Sequence, residues 1–226
     1  MGERHQRIVA GLATPGTADS GLDGLRQVPV PLVPEIQLHL AADAIVLWAR
    51  MEAEAGTTLT APFWASAWLG GQALARFVLD HPETVAGRRV LDLAAGSGLV
   101  GIAASLAGAA SVTANDIDPY ATAAIGMNAR ANAVQIAVSC HNMLDDEAED
   151  VDLVLAGDVF YSQPMAQAVL PFLERASERG AQVLIGDPGR VDLPGGRLSI
   201  VATYPAADAG ALADAELEQV HVLRLT

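Results

Sequence analysis

A glycine-rich turn between a short apolar run and a helix of small residues limits most strongly what this chain can fold into. The apolar run covers Arg89–Ala94, the turn is Ala95–Gly98 and the helix is predicted over Leu99–Leu106. Glycines at this place let the main chain turn tightly and let a ligand approach it closely. The helix presents free N–H groups and the positive end of its dipole beside the turn. A strand, a glycine turn and a helix in this order predict an α/β fold that binds a ligand at the turn.

Strand and helix patterns alternate downstream of this turn, and one helix precedes it. Helices are predicted over Ser66–Leu79, Pro119–Ala131 and Met165–Arg179, and strands over Ser111–Asn115, Gln135–Ser139, Val151–Ala156 and Ala181–Gly186. Arg197–Thr203 and Gln219–Leu225 are typical of a closing hairpin. Alternation at this spacing indicates βαβ units and a parallel sheet. A chain of 226 residues suits one such domain with a buried core, and we place it at residues 35–226.

The first 34 residues differ from the rest in composition. They are rich in Gly, Pro and Thr, and Pro29, Pro31 and Pro34 preclude a regular helix. We therefore predict an extended arm over residues 1–34, followed by a domain that includes N-terminal helices. The arm lacks the apolar core and cleavage site of a secretory signal. No apolar run reaches the roughly 18 residues of a membrane span, so we expect a cytoplasmic protein with no membrane contact.

The charge and the metal-ligating side chains exclude two classes of function. The formal net charge is −14 at pH 7, and all 13 basic residues are arginines scattered along the chain. Because such a surface repels phosphate backbones, we expect no nucleic-acid partner. A basic protein partner is compatible with this charge, as is an acidic surface that serves only solubility. The single cysteine, Cys140, and the isolated His39, His81 and His141 do not have the spacing of a metal site.

Two aspartates beside the glycine turn bear on the identity of the cofactor. The pattern Gly96-x-Gly98-x-x-Gly101 matches the dinucleotide fingerprint, so a nicotinamide cofactor and S-adenosylmethionine both have to be weighed. The carboxylate of Asp92, at the end of the first strand, would repel a pyrophosphate but suits a sulfonium and an ammonium. Asp116, at the tip of the second strand, can accept hydrogen bonds from both ribose hydroxyls of either cofactor. The alternative, in which both aspartates only cap turns, stays open.

Several segments resemble known methyltransferases. Val90–Gly98, which reads Val-Leu-Asp-Leu-Ala-Ala-Gly-Ser-Gly, resembles the first motif of class I seven-strand methyltransferases. Asn115–Pro119, Gly157–Tyr161, Leu184–Arg190 and the upstream Trp64–Leu74 resemble the electron transfer flavoprotein beta-subunit lysine methyltransferase family. The first motif is common to many methyltransferases, whereas the other segments in this order are much more specific. The resemblance spans about residues 30–190.

The resemblance implies a fold, a cofactor and a substrate. The fold is a Rossmann-like seven-stranded sheet in the order 3-2-1-4-5-7-6, with one antiparallel strand and helices on both faces. The cofactor is S-adenosyl-L-methionine, and the methyl acceptor is a lysine of the electron transfer flavoprotein beta subunit. The expected cofactor-binding residues are Trp68, Asp92, Ala94, Gly96, Gly98, Asp116, Ile117, Asn142, Met143 and Gly157. Trp68 is preferred over Trp64 because Gly70 and Gly71 follow it and permit close approach of the cofactor, although helix packing would account for either tryptophan.

Asp158 and Tyr161 follow the predicted fourth strand and are the expected catalytic residues. Ligands of open α/β sheets bind beyond the carboxyl ends of the strands, so this segment should lie beside the transferred methyl group. Asp158 would orient the incoming ammonium and help it lose a proton, and Tyr161 would shape the channel or accept an N–H hydrogen bond. The alternatives are that Asp158 caps the following turn and that Tyr161 only packs.

Three functional hypotheses follow from these residues. The first is a protein-lysine methyltransferase, and the second is an N-methyltransferase of a small heteroaromatic, nicotinamide-like amine. The third is a cofactor-binding module without catalysis, against which the complete set Asp92, Gly96, Gly98, Asp116 and Asp158 argues. Val159 and Phe160 stand where adenine and glutamine methyltransferases carry two prolines, so that class is not indicated.

Overall fold

The computed structural model describes residues 24–146, 150–206 and 218–226. Its helices are α1 (Ala44–Ala55), α2 (Leu69–Asp80), α3 (Leu99–Leu106), α4 (Pro119–Ala131) and α5 (Gln163–Glu178). Its strands are β1 (Leu25–Val30), β2 (Val33–Ala41), β3 (Arg89–Leu93), β4 (Ser111–Asn115), β5 (Ala137–Ser139), β6 (Leu153–Gly157), β7 (Gln182–Asp187), β8 (Leu198–Pro205) and β9 (Gln219–Leu225). Single 3₁₀ turns at Phe63–Ala65 and Pro82–Thr84 flank α2.

Side-chain caps explain where three of the helices begin. Asp43 accepts hydrogen bonds from two main-chain N–H groups at the start of α1, and Asp118 and Ser162 accept one each at the starts of α4 and α5. Such caps satisfy N–H groups that have no partner inside the helix. Helix α1 ends at Gly56, which has a φ of 68°, a left-handed conformation that glycine adopts readily.

Seven strands form one sheet in the order β5-β4-β3-β6-β7-β9-β8. Strands β3 to β7 are parallel, and β9 is antiparallel to both of its neighbours. Counted from β3 as strand 1, this is the order 3-2-1-4-5-7-6 with one antiparallel strand. The expected fold class is thereby confirmed, and the structure adds a separate two-stranded sheet, β1-β2, that the expectation lacked.

The β1-β2 hairpin crosses the boundary that we expected at residue 34. Residues 1–23 of the expected arm lie outside the described residues, but Leu25–Val30 pairs antiparallel with Val33–Ala41. Val30, Ile36 and Leu38 are buried in the core next to α2 and α3. Residues 24–34 are therefore part of a hairpin that packs on the domain, with Val30 and Val33 buried, rather than a segment apart from it. Prolines excluded a helix, but they are tolerated in edge strands and turns.

Alternate residues of the central strands are buried on opposite faces of the large sheet. On one face, Val90 of β3 and Leu155 of β6 pack with α2 and α3. On the other face, Leu91 of β3 and Val154 of β6 pack with α5. Burial on both faces is the usual state of a parallel sheet. Helices therefore cover both faces of the sheet. The edge formed by the carboxyl ends of its parallel strands is left for a ligand.

Glycines allow the first turn of α2 to approach the strand ends of β6 and β7. A methyl group on Gly186 would overlap the carbonyl oxygen of Gly70, and one on Gly157 would lie 2.8 Å from the Cα of Gly71. A methyl group on Gly70 would likewise overlap the Gly186 carbonyl oxygen, whereas one on Gly71 would meet nothing closer than 3.9 Å. That these two glycines admit a cofactor stays a prediction. Gly157 was expected at the cofactor, but the position that its side chain would occupy is taken by α2.

Candidate active site

Five parallel strands end at one edge of the sheet, and the glycine turn and two of the expected aspartates follow them there. The glycine turn follows β3, Asp116 follows β4, and Asp158 follows β6. Because β3 lies between β4 and β6, the glycine turn stands between the two aspartates. The strand order reverses at β3, and ligands of doubly wound sheets bind at such a switch point.

The turn after β3 is held in a conformation that suits glycine. Gly96 and Gly98 have φ values of 53° and 80°, and Ala94 has a φ of 52° although it is not glycine. A side chain on Gly96 would meet nothing closer than the Trp64 Cα at 3.8 Å, whereas one on Gly98 would press on Ile125 of α4 at 3.1 Å. Gly98 thus serves packing, and Gly96 leaves the main chain open to a ligand.

Asp116 ties the end of β4 to the glycine turn. Its Oδ2 accepts from the Gly96 N–H at 2.9 Å, and its Oδ1 accepts from the Asp118 N–H at 2.9 Å. Burial raises the pKa of Asp116, and these hydrogen bonds oppose the shift. Each carboxylate oxygen can accept more than one hydrogen bond. The side chain can therefore shape the turn and still accept hydrogen bonds from ribose hydroxyls.

Asp92 faces the protein interior. It is 1% exposed, and its Oδ2 accepts from the Gly101 N–H of α3 at 2.7 Å. Burial raises the pKa of Asp92 to about 7, and the nearby Asp116 carboxylate adds to the shift. A carboxylate thus already occupies the positive end of α3, where a dinucleotide fold would bind its pyrophosphate. Asp92 acts through α3, and contact with a cofactor stays a prediction.

Asn128, which the sequence analysis missed, connects the hairpin to the glycine turn. Its Nδ2 donates to the Ser97 carbonyl at 2.9 Å, and its Oδ1 accepts from the His39 N–H at 2.9 Å. Asn128 is fully buried within α4. No local sequence pattern pointed to Asn128, because its partners Ser97 and His39 are distant in the sequence.

A segment rich in aromatic residues, which precedes the glycine turn in the sequence, lies next to it in space. Trp64 is buried, and its Nε1 has no hydrogen-bond partner among the described residues. Trp68, the residue before α2, donates from Nε1 to the Phe63 carbonyl at 2.7 Å. The Phe63 ring centroid lies 6.0 Å from that of Trp68 and 6.1 Å from that of Tyr161. Phe63, which the sequence analysis missed, therefore joins Trp68 to the segment that carries Asp158.

Asp158 has two partners that the sequence analysis did not foresee. Its Oδ2 accepts from the Gly71 N–H of α2 at 2.7 Å, and its Oδ1 accepts from Arg190 Nη1 at 2.6 Å. It has a φ of 57°, which is uncommon for a residue other than glycine and is found at functional sites. The cap that we weighed as an alternative exists, but on α2 rather than on the following turn.

Arg190 joins Asp158 to a second buried carboxylate. Its Nη1 lies 3.6 Å from Asp187 Oδ2, an oxygen without a hydrogen-bond partner among the described residues. Asp187 is fully buried, and its Oδ1 accepts from the Gly189 and Arg190 N–H groups, which stabilises a turn at the end of β7. Burial raises the pKa of Asp158 and of Asp187, and Arg190 opposes both shifts.

The remaining expected cofactor residues lie at the same edge, on the β4 and β5 side. Ile117, next to Asp116, is 70% exposed, so its side chain is available to pack on a planar base. Met143 is partly buried against the core around α5. Asn142 is exposed, and its Oδ1 accepts from the Leu144 N–H at 3.1 Å, so it at least stabilises the loop.

The donor set of this edge fits S-adenosylmethionine. The space beside Gly96 is open, Asp116 retains acceptor capacity, and Asp92 already accepts from the Gly101 N–H at the start of α3, where a phosphate would bind. Within residues 24–146, 150–206 and 218–226, no three His, Cys, Asp or Glu side chains cluster as a metal site would require. In those same ranges, no helix is long and apolar enough to cross a bilayer.

Solved structures with the same architecture are methyltransferases. The chain is 22% identical to the ribosomal protein L11 methylase from Lactobacillus delbrueckii subsp. bulgaricus, with a TM-score of 0.53 over 71% of this chain and 80% of that one. It is 17% identical to the Pyrococcus abyssi tRNA (uracil-54, C5)-methyltransferase in complex with S-adenosyl-L-homocysteine, with a TM-score of 0.50 over 69% and 38%. The likeness shows that the fold is the class I methyltransferase fold.

Sequence relatives narrow this class to one family. A family profile described as ribosomal protein L11 methyltransferase (PrmA) matches residues 73–179. The electron transfer flavoprotein beta subunit lysine methyltransferase of Danio rerio is 44% identical over 70% of this chain and 62% of its own length. The Caenorhabditis elegans homolog is 36% identical over 70% and 71%. The chain belongs to the electron transfer flavoprotein beta subunit lysine methyltransferase family, and it spans less than two thirds of the Danio rerio and Homo sapiens relatives.

Proposed function

We propose that this protein is an S-adenosylmethionine-dependent protein-lysine N-methyltransferase that acts on the electron transfer flavoprotein beta subunit. Family membership supports the reaction, and the names of the relatives suggest the substrate. The observation that carries the proposal is the placement of Asp158 across the glycine turn from Asp116. One aspartate is available for the nucleoside and the other for the acceptor amine.

The residues of the β3 and β4 ends would hold the cofactor. The open main chain at Gly96 and the Asp116 carboxylate suit an amino acid moiety and a ribose, and Ile117 suits the base. S-adenosylmethionine, when bound, supplies an electrophilic methyl group on a sulfonium. Asp92 accepts from the Gly101 N–H at the start of α3, so the position that a dinucleotide fold offers to a phosphate is already taken.

The residues of the β6 and β7 ends would prepare the acceptor. A lysine is protonated at neutral pH and has no lone pair for the displacement. The Asp158 carboxylate has lone pairs beyond those taken by Gly71 and Arg190, so it can attract the ammonium and align the amine after the proton leaves. Much of the rate would then come from positioning, which can contribute several kcal/mol to a bimolecular reaction.

The test is methylation of purified electron transfer flavoprotein beta subunit, mapped by peptide mass spectrometry. The chain contains no lysine, so every methyl-lysine found belongs to the substrate protein. We expect methyl-lysine in the beta subunit only when enzyme and S-adenosylmethionine are both present. Nicotinamide in a parallel reaction tests the small-molecule alternative. Methylated nicotinamide with an unmodified beta subunit would overturn the proposal.

A further inference from the structure

Two aromatic side chains at the candidate site are more exposed than packing requires. Phe63 is 52% exposed and Tyr161 is 55% exposed, and their ring centroids lie 6.1 Å apart. Trp68 contacts Phe63, with 6.0 Å between the ring centroids, and its indole N–H donates to the Phe63 carbonyl. Single exposed apolar residues are ordinary, whereas adjacent ones beside a site indicate a surface that binds something. We call Phe63, Trp68 and Tyr161 the aromatic row.

The aromatic row connects the two halves of the site. At one end, Phe63 adjoins Trp64, whose Cα lies 3.8 Å from the position of a side chain on Gly96. At the other end, Tyr161 lies three residues after Asp158 in the chain. Trp68 precedes α2, and the Gly71 N–H of that helix donates to Asp158 Oδ2. The Phe63–Tyr161 contact therefore bridges the segment beside the glycine turn and the segment that carries Asp158.

We propose that the rings of Phe63 and Tyr161, with Trp68 packed on Phe63, form the wall that receives the acceptor lysine side chain. This inference rests on the proposed function and names how its substrate is bound. The lysine methylenes would pack on the ring faces, and the ammonium would be attracted by the ring quadrupole and by Asp158. The net charge of −14 favours a cationic side chain as the occupant. Phe63 becomes a substrate-binding residue, to which the sequence analysis had assigned no role.

The test separates ring chemistry from apolar contact at one position. Phe63→Tyr keeps the aromatic face, Phe63→Leu keeps apolar bulk, and Phe63→Ala keeps neither. Steady-state methylation of the beta subunit is measured for each, with calorimetric binding of S-adenosylhomocysteine as the readout for the cofactor side. Ile200→Ala is the matched control, because Ile200 is a similarly exposed apolar residue on β8, at the far edge of the sheet.

We expect KM for the beta subunit to rise roughly 10-fold in Phe63→Leu and further in Phe63→Ala, while Phe63→Tyr and the control stay within twofold of wild type. Ten-fold corresponds to about 1.4 kcal/mol, within the range of a partly desolvated cation–π contact. S-adenosylhomocysteine affinity should stay within twofold throughout. An unchanged KM in Phe63→Ala, or a loss confined to cofactor affinity, would overturn this inference while leaving lysine methylation intact. An inactive wild-type enzyme would instead refute the proposed function.

Discussion

The guanidinium of Arg190 and the carboxylate of Asp158 form an ion pair, with 2.6 Å between Nη1 and Oδ1. The pair joins the turn after β7 to the end of β6, and Asp158 in turn accepts from the first turn of α2. Three elements of the acceptor side therefore meet at one carboxylate. Its charge state and its position both depend on Arg190.

Arg190→Gln should lower the methylation rate most strongly at low pH. Burial raises the pKa of Asp158 and Arg190 opposes that shift, so the loss of the guanidinium raises this pKa further. The acidic limb of the rate profile should then move to higher pH. Arg190→Lys keeps the charge but not the two-pronged geometry of the guanidinium, so it should restore part of the rate at low pH. Arg89→Gln is the control, because Arg89 lies at the amino end of β3, away from the site. An unshifted rate profile in Arg190→Gln would contradict the role of Arg190.

Gly186→Ala should destabilise the fold by about 1–3 kcal/mol, the usual cost of overpacking. The added methyl group would overlap the Gly70 carbonyl, so α2 would have to move away from the sheet. Gly195→Ala is the matched control, since a methyl group there meets nothing within 4 Å. Denaturant unfolding measures both variants, and equal stability of the two would show that α2 does not lie as closely on β7 as described.

Asp116→Ala should weaken S-adenosylhomocysteine binding by about 1.5–3 kcal/mol, the range for hydrogen bonds to a charged group. The variant also loses two hydrogen bonds that hold the turn. Asp116→Asn, which keeps one oxygen acceptor, should lose less affinity. Calorimetry with S-adenosylhomocysteine and with NAD covers both cofactors. Unchanged affinity in Asp116→Ala would place the ribose elsewhere, and tight NAD binding by wild type would contradict the choice of cofactor.

Asp92→Asn should flatten the dependence of stability on pH. The pKa of Asp92 is raised to about 7 by burial, so the folded state keeps a proton that the unfolded state loses near pH 4. Stability contributed by this group is present below about pH 4 and is lost as pH rises to about 7. The slope for one proton is at most about 1.4 kcal/mol per pH unit. Urea unfolding of both proteins from pH 4 to 8 measures it, and identical slopes would contradict the assignment.

Local patterns were sufficient to predict most of the large sheet. From the helix before β3 to the last strand, the predicted boundaries lie within three residues of the observed ones. The turn after β3 was recognisable because glycines, an apolar strand and a helix occur within a few residues of each other. The β1-β2 hairpin was not recognisable, since Pro29 and Pro31 argued only against a regular helix and the burial of Val30 depends on the distant α2 and α3.

Long-range contacts account for what the sequence analysis missed at the site. Arg190 was part of a recognised motif, but its pairing with Asp158 depends on the neighbouring positions of β6 and β7. Asp92 was identified from its place before the glycine turn, but the direction of its side chain towards Gly101 follows from α3 packing. Phe63 could be recognised in the sequence only as an aromatic residue next to Trp64, which does not indicate a role.

The most direct test of the account is single-turnover methylation of the beta subunit by Asp158→Asn, with calorimetric binding of S-adenosylhomocysteine to the same variant. Asparagine keeps the size and an oxygen acceptor for the Gly71 N–H, but it loses the charge that attracts an ammonium. We predict cofactor affinity within twofold of wild type and a rate about 100-fold lower, which corresponds to about 2.7 kcal/mol of transition-state stabilisation. Raising the pH should recover part of that rate. Full activity in Asp158→Asn, or loss of cofactor binding, would contradict the placement of the acceptor amine at this carboxylate.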